Sequence, residues 1–276
     1  MTSGIDFYKR VAYIEEHFDE EKEALSQRLY ALTKKIFRPD NMMISYTADD
    51  TGYEALPRTV TLLSQKLPEG SGERYPFVHP VENKNEGLKT SSQVNYVARC
   101  GSFLPAGLSY HGALKILKVI LSYDYLWIQV RVKGGAYGVM SGIGRSGEGY
   151  FVSYRDPNLR ETNTVYENIV EYLENFDADE RDMTKYVIGT ISDLDAPLTP
   201  SLKGSRGLSA YLSGVTAGML AEEREQVLDA TPADIRALAP IVKAVLDTGS
   251  LCVIGNEDKV RAESGLFGEV KNLFNN

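Results

Sequence analysis

The spacing of hydrophobic residues changes along this chain, and each change marks a predicted element. Over residues 5–37, leucine and isoleucine recur every three or four positions, which predicts one long helix or a helix pair. The run NMMISY at residues 41–46 predicts a strand. Residues 52–66 predict another helix, which begins near Pro57 because proline is tolerated in the first helical turn.

This first part of the chain does not make a complete domain by itself. It offers one predicted strand between helices, and a single strand cannot satisfy its own backbone hydrogen-bonding groups. Residues 67–87 are rich in proline, glycine and charge, which predicts a linker. We therefore expect residues 1–66 to be the C-terminal part of a preceding α+β domain whose other strands lie outside this chain.

Residues 88–276 predict a complete α+β domain. Strands are expected at residues 93–99 and 250–254, and a hairpin at residues 136–145 and 148–155, where polar and apolar residues alternate around a Ser-Gly turn. Helices account for most of the remainder. The predicted fold class is α+β, with helices packed on one face of a mostly antiparallel sheet.

Residues with side chains suited to helix capping indicate where several of these helices begin. The expected capping positions are Asp124, Thr162, Asp177, Thr199 and Thr231. Asp177 begins the sequence DADE, which matches a capping box, and the two last threonines each precede a proline.

The stretch DYLWIQVRVKGGAYG, residues 124–138, is the one around which we expect the domain to be organised. It predicts a helix that ends at Gly134 in a left-handed conformation, followed by a strand. Arg131 and Tyr137 then lie on either side of the glycine turn. Two such donors beside a cleft can hold a carbonyl oxygen and stabilise charge that develops on it. The alternative is that Arg131 is a helix-end cation and Tyr137 a half-buried strand residue.

Composition narrows the function classes. The 276 residues carry a net charge of −8 and a pI of about 5.1, which argues against nucleic-acid binding because such proteins present basic patches. No apolar run is long enough to span a membrane, and the polar N-terminus has no secretory signal. Cys100 and Cys252 are expected to be reduced thiols of a cytoplasmic protein, although a single structural disulfide is the alternative.

Three histidines, His17, His79 and His111, are the candidate metal ligands. The inverted zinc motif H-x-x-E-H needs two imidazoles four residues apart, but the run from His17 ends in Glu21. His79 and His111 have no ligand partner at useful spacing. The sequence therefore predicts no metal site and no bound cofactor in this chain.

Other motifs are weaker. Residues 142–147 spell G-x-G-x-x-G, but a strand-like run follows where a dinucleotide site needs a helix, so a glycine-rich hairpin is favoured. The loop at residues 193–200 holds two carboxylates and is interpreted as a turn between helices, with an acid–base pair as the alternative. Arg155 and Asp156 are expected to form a structural pair, and contact of Tyr154 and Arg155 with substrate is the alternative.

Several motifs, in order, resemble one family over nearly the whole chain. They are VNYVARCG (94–101), GALKILKVILSYDYLW (112–127), RVKGGAYG (131–138), SYRDPNL (153–159), DERDMTKYVIGTISDLDAPLTPSLKG (179–204) and CVIGNEDKV (252–260). Together they resemble the C-terminal part of the pitrilysin/insulinase superfamily of inverted-motif zinc peptidases, and its presequence-protease subgroup in particular.

The resemblance implies a zinc-dependent metalloendopeptidase that degrades unstructured peptides in a closed chamber. Zinc and the general base are implied to lie in the first domain, outside this chain, so the chain alone is expected to be inactive. Arg131 and Tyr137 are implied to contact the substrate beside the zinc. The implied partner is the N-terminal half of the same protein, or a separate catalytic chain. The alternative is a non-catalytic scaffold or partner subunit of the same superfamily.

Overall fold

The computed structural model describes residues 4–68, 84–248 and 250–274, and the chain divides into two compact units. The first consists of Met1–Pro80 with Leu198–Gly214, and the second of Val81–Pro197 with Val215–Asn276. The sequence did not predict that residues 198–214 would group with the first unit. The assignment of residues 1–66 to a preceding domain stays a prediction.

The helices are numbered in chain order. They are α1 (Ile5–Glu16), α2 (Phe18–Ile36), α3 (Asp50–Glu54), α4 (Leu56–Lys66), α5 (Ala113–Ile120), α6 (Arg160–Glu167), α7 (Ile169–Glu174), α8 (Glu180–Leu194), α9 (Pro200–Ser213), α10 (Ala217–Leu228), α11 (Pro232–Arg236), α12 (Ala239–Asp247) and α13 (Glu257–Ala262). Two π-helical segments, Leu121–Tyr125 and Trp127–Lys133, follow α5, and short 3₁₀ turns lie at Pro39–Asn41, Leu104–Ala106 and Ser264–Leu266.

The first unit contains α1–α4 and α9. The predicted helix pair over residues 5–37 is confirmed, with the break at His17. The predicted strand at residues 41–46 is wrong, because the described chain supplies no strand to pair with it and residues 42–49 are irregular. Within the described residues, none of these five helices buries a side chain. Their apolar side chains are therefore left without a core of their own.

The second unit is built on a sheet of six strands. They are β1 (Glu86–Thr90), β2 (Asn95–Ser102), β3 (Gly138–Ile143), β4 (Glu148–Asp156), β5 (Ser250–Asn256) and β6 (Glu269–Asn272), in the spatial order β3-β4-β2-β5-β1-β6. The pairs β3–β4, β4–β2 and β2–β5 are antiparallel, whereas β1 pairs in parallel with β5 and with β6. The predicted, mostly antiparallel sheet is confirmed.

Two strands were missed by the sequence. β1 lies across the end of the predicted linker at residues 67–87, and β6 lies near the C-terminus, where no strand was predicted. Both are short and each carries charged residues, so neither shows the alternation typical of a strand. β1 pairs with β5 and β6, which lie more than 150 residues later in the sequence. Local sequence patterns do not reveal such distant pairings.

Helices pack against one face of this sheet, as predicted. Val97, Phe151 and Val253 on that face are fully buried in the main hydrophobic core. α12 packs against β2 and β4, and α13 against β1 and β5. Gly101 lets α12 lie close to β2, since a Cβ there would lie 1.9 Å from the hydroxyl oxygen of Thr248 and 2.0 Å from the carbonyl oxygen of Val245. The opposite face leaves Tyr96, Met140 and Tyr150 exposed by 42 to 53%.

The predicted caps had mixed outcomes. Thr199 and Thr231 cap α9 and α11 as expected, and Thr231 does so in a capping box with Asp234. Asp179, rather than Asp177, caps α8 by accepting a hydrogen bond from the backbone N–H of Asp182. Thr162 is wrong as a cap, because α6 begins two residues earlier and the threonine is buried inside it.

The two cysteines lie on neighbouring strands, with Cys252 opposite Ala98 and Cys100 opposite Ser250, and both thiols are free. Burial raises the pKa of the Cys252 thiol, with a smaller contribution from Glu86. Cys100 is exposed. We expect iodoacetamide at pH 8 to alkylate Cys100 about tenfold faster than Cys252, because thiolate is the reactive form. Mass spectrometry of digested samples measures both rates, and equal rates contradict the prediction.

Within the described ranges, no helix is both long enough and apolar enough to cross a membrane.

Candidate functional site at the end of the long helix

The helix that carries Arg131 is longer than the sequence predicts. α5 continues through the two π-helical segments to Lys133, so the separate helix starting at Asp124 is wrong. The backbone at Leu121 and Leu126 stays in the right-handed helical region, which leaves no free N–H groups for Asp124 to cap. Its carboxylate instead accepts a 2.5 Å hydrogen bond from the hydroxyl of Tyr186 in α8.

The glycine turn that follows is shifted by one residue from its predicted position. Gly134 remains right-handed, with φ −79°, and Gly135 takes the left-handed conformation, with φ +80°. The backbone N–H groups of Gly135 and Ala136 donate to the carbonyls of Arg131 and Val130. These bonds satisfy the end of the helix and turn the chain directly into β3, which is an edge strand of the sheet.

Arg131 is fixed by two contacts from this turn. Its Nε donates a 3.0 Å hydrogen bond to the backbone carbonyl of Tyr137. Its Cζ lies 3.9 Å from the ring centroid of Trp127, one helical turn earlier, which is a cation–π contact. Arg131 as a whole is half-buried. Its two terminal nitrogens make no hydrogen bond within the described chain, so they are available to an oxygen acceptor.

Tyr137 is held by its backbone and leaves its hydroxyl exposed. Its N–H donates to the carbonyl of Arg155 over 3.3 Å, and its ring meets that of Tyr154 edge-on at 5.5 Å. The residue is 61% exposed. Among the described residues its hydroxyl has no hydrogen-bond partner. The structure thus brings the two sequence-predicted site residues together on the two sides of one turn.

A β-bulge beside Tyr137 adds a second guanidinium. The register of β2 and β4 shifts here, so that Tyr154 and Arg155 together lie opposite Tyr96 alone. Arg155 takes φ +48°, and no other non-glycine residue of the described ranges has a positive φ. Its Cζ lies 5.5 Å from the ring centroid of Tyr137. Sequence reasoning could not have located this bulge, because it depends on pairing with β2.

The expected pairing of Arg155 with Asp156 is wrong. Asp156 is fully buried, and its carboxylate accepts a 2.9 Å bond from the backbone N–H of Asn158 and a 2.8 Å bond from the hydroxyl of Thr162. It therefore fixes the turn that follows β4. In the part of the chain that the structure describes, neither Arg131 nor Arg155 forms an ion pair. The site therefore carries two cations without a carboxylate partner.

Two asparagines that the sequence reasoning missed hold the bulge against the glycine turn. Asn158 donates a 2.6 Å bond from its side-chain amide to the carbonyl of Gly134. The fully buried Asn95 donates to the carbonyls of Asp156 and Asn158, each over 3.1 Å. The Asp-Pro-Asn sequence that ends β4 was the available signal, since such residues mark turns. These bonds fix the relative positions of the two arginines.

The candidate metal ligands do not assemble in the structure. In the described ranges no three side chains of histidine, cysteine, aspartate or glutamate come close enough to hold a metal ion. His17 stacks on Tyr13 at 4.3 Å, and His111 accepts a hydrogen bond from the N–H of Ala113. His79 lies outside the described residues. The residues described here therefore do not fit a zinc ion.

Two other motifs turn out to be structural. The G-x-G-x-x-G sequence is the turn of the β3–β4 hairpin, as predicted, and Gly147 takes φ +93° there. Of the two carboxylates in the loop at residues 193–200, Asp195 forms an ion pair with Arg224.

Sequence relatives are found over nearly the full length of this chain. Protein HypA of Clostridium perfringens (strain 13 / Type A) is 41% identical over 272 residues, which is 99% of this chain and 28% of the relative. Presequence protease 1, chloroplastic/mitochondrial, of Arabidopsis thaliana is 30% identical over 276 residues, or 98% of this chain and 26% of the relative. The chain therefore spans less than a third of the length of these two relatives.

A solved structure supports the fold. The crystal structure of a peptidase M16 inactive domain from Pseudomonas fluorescens aligns with a TM-score of 0.52 at 18% identity, covering 76% of this chain and 51% of that one. Residues 85–257 match the family described as the PreP C-terminal domain. This match covers more than half of the 276 residues and includes the helix, the glycine turn and the bulge. The chain thus belongs to the PreP C-terminal domain family, and its fold resembles that of the M16 peptidase domain from Pseudomonas fluorescens.

Proposed function

We propose that this chain is the substrate-chamber part of a zinc-dependent metalloendopeptidase that degrades unstructured peptides. The observation that carries the proposal is the pairing of Arg131 and Tyr137 across the glycine turn. The Nε–carbonyl bond of 3.0 Å fixes the arginine to the backbone of the tyrosine, while the tyrosine ring is 61% exposed. Both side chains therefore present donors that no described residue uses.

In this proposal the two residues hold the peptide bond that is to be cleaved. The terminal nitrogens of Arg131 and the hydroxyl of Tyr137 donate to the carbonyl oxygen of the bound peptide. Their attraction grows as negative charge develops on that oxygen, so they stabilise the transition state more than the ground state. Because the helix end, the bulge and Asn158 fix the turn, little reorganisation accompanies the reaction.

The zinc ion and the general base belong, in this proposal, to the N-terminal half of the same protein or to a separate catalytic chain. Two features of the first unit support a missing partner. Its helices bury no side chain within the described residues, and Phe18 and Tyr30 are 56% and 64% exposed. We infer that residues 1–66 are the closing part of a preceding α+β domain. The cytoplasmic location is also part of the proposal and rests on the two free thiols.

Complementation tests this function. We expect the isolated chain, supplied with zinc, to leave a quenched fluorescent peptide of unstructured sequence intact. Mixed with the remaining, upstream part of its gene product, it should give cleavage that a chelator abolishes. The rise of fluorescence measures the rate, and size-exclusion chromatography shows whether the two parts associate.

The other outcomes identify the alternatives. Chelator-sensitive cleavage by the isolated chain would overturn the proposal, since a zinc site within these 276 residues would then be required. An associated complex that leaves every peptide intact would favour the non-catalytic scaffold. In the complemented mixture, the double variant His17→Ala, His111→Ala should cleave the peptide as the unmodified chain does, because neither histidine binds zinc in this proposal.

A further inference from the structure

Arg155 is the feature of this site that the proposed function does not use. It has φ +48°, a left-handed conformation that is strained for a residue with a side chain. Strained residues persist where the surrounding structure fixes them, and they cluster at ligand sites. Here the bulge is fixed from both sides, by Asn95 and by the buried Asp156.

The bulge has a definite effect on the position of the guanidinium. In a regular strand, Arg155 would lie opposite a residue of β2 and point to the face away from Tyr154. Because the bulge places two residues opposite Tyr96, the side chain of Arg155 instead reaches the ring of Tyr137, with its Cζ 5.5 Å from the ring centroid. The side chain is exposed at this position.

The charges around Arg155 indicate which class of ligand could bind there. Arg131 approaches the backbone of Tyr137, and Arg155 approaches its ring. Neither arginine forms an ion pair within the described chain, and the nearest acidic residue in sequence, Asp156, is buried and bonded to Asn158 and Thr162. A guanidinium presents a planar fork of donors that matches a carboxylate. The complementary ligand is therefore an anion with two oxygens in one plane.

We propose that Arg155 binds a carboxylate of the peptide, either an acidic side chain near the scissile bond or the C-terminal carboxylate, and so sets a preference for acidic peptides. The inference rests on the proposed function only in taking a peptide as the ligand. Arg131 and Tyr137 bind the scissile carbonyl, and Arg155 recognises the charge next to it.

The test is a binding measurement on the full-length protein with its zinc removed by a chelator. Fluorescence anisotropy compares labelled peptides that are identical except for glutamate or glutamine at one central position. A second pair differs in a free or an amidated C-terminus. We expect the unmodified protein to bind one acidic member about tenfold more tightly than its neutral partner, as for a charge-assisted hydrogen bond. The pair that shows the preference identifies the source of the carboxylate.

Two variants and one control make the test specific. Arg155→Gln removes the charge, and Arg155→Gly also removes the backbone strain, because glycine adopts φ +48° without penalty. Both should reduce the preference to less than twofold. Lys133→Gln removes an exposed charge two residues from Arg131 and should leave the preference intact. A preference that survives in Arg155→Gly, or is absent from the unmodified protein with both peptide pairs, overturns the inference.

Cleavage by the zinc-loaded protein separates this inference from the proposed function. If the neutral peptides are cut but no acidic preference exists, Arg155 has no such role and the peptidase proposal stands. If no peptide is cut but the preference is present and depends on Arg155, the carboxylate site stands and the peptidase proposal fails.

Discussion

Replacement of Tyr137 by phenylalanine in the full-length protein should lower kcat/KM for an unstructured peptide by about 100- to 1,000-fold, the usual effect of losing one donor to a developing oxyanion. The ring remains, so its edge-on contact with Tyr154 and its contact with Arg155 are kept. The Nε bond of Arg131 goes to the backbone carbonyl and is also unaffected. The variant therefore removes only the hydroxyl.

The separate kinetic constants show which role the hydroxyl has. A donor that acts mainly in the transition state lowers kcat and kcat/KM together, whereas one that only binds the peptide raises KM. We expect the first pattern. Steady-state cleavage of a quenched fluorescent peptide at several concentrations measures both constants.

Tyr150→Phe is the matched control. Tyr150 is 42% exposed on the uncovered face of the same sheet, and its replacement also removes one tyrosine hydroxyl. Its activity should stay within twofold of the unmodified protein. If Tyr137→Phe is equally active, the hydroxyl is not a catalytic donor, and Tyr137 is the exposed strand residue that the sequence offered as the alternative.

The sequence alone predicted Arg131 and Tyr137 as candidates, but it predicted their arrangement only in part. Arg131 and Tyr137 lie in one short motif, and the glycines between them require a turn, so their proximity follows from local sequence. The exact turn did not follow. Gly134 stays right-handed, so the left-handed position falls to Gly135 instead. With two adjacent glycines, the sequence permits either choice.

The features that the sequence did not predict depend on contacts between residues that are distant in sequence. Asp124 was predicted as a helix cap. Its carboxylate instead accepts a hydrogen bond from Tyr186, 62 residues later, and local sequence does not reveal that this residue lies nearby. Arg155 and Asp156 were predicted to form an ion pair because they are adjacent in sequence. The pairing of β4 with β2 instead leaves Arg155 exposed in the bulge and buries the Asp156 carboxylate. The antiparallel hairpin and the core strands were predicted because their alternation is local. The parallel strands β1 and β6 are defined mainly by their partners.

Asp156 shows how the strained site depends on buried polar contacts. Its carboxylate is fully buried and accepts hydrogen bonds from the N–H of Asn158 and the hydroxyl of Thr162. Asp156→Ala leaves the buried hydroxyl of Thr162 and the partly buried N–H of Asn158 without an acceptor, and each unsatisfied group costs about 1–3 kcal/mol. We expect the free energy of unfolding of this chain to fall by about 3 kcal/mol, measured by urea denaturation followed by circular dichroism.

Two further variants show whether the fall in the free energy of unfolding comes from the lost hydrogen-bond acceptor or from the lost side-chain volume. Asp156→Asn keeps the size and one acceptor oxygen, so about 1–2 kcal/mol should be lost. Thr162→Val removes one of the two donors and the need to satisfy it, and should cost about 1 kcal/mol. A loss below 1 kcal/mol for Asp156→Ala would contradict the role of its carboxylate as a buried acceptor.

The same carboxylate fixes the turn after Arg155, so Asp156→Ala should also weaken any preference for acidic peptides. Thr162→Val leaves the bond to Asn158 in place and should largely preserve that preference.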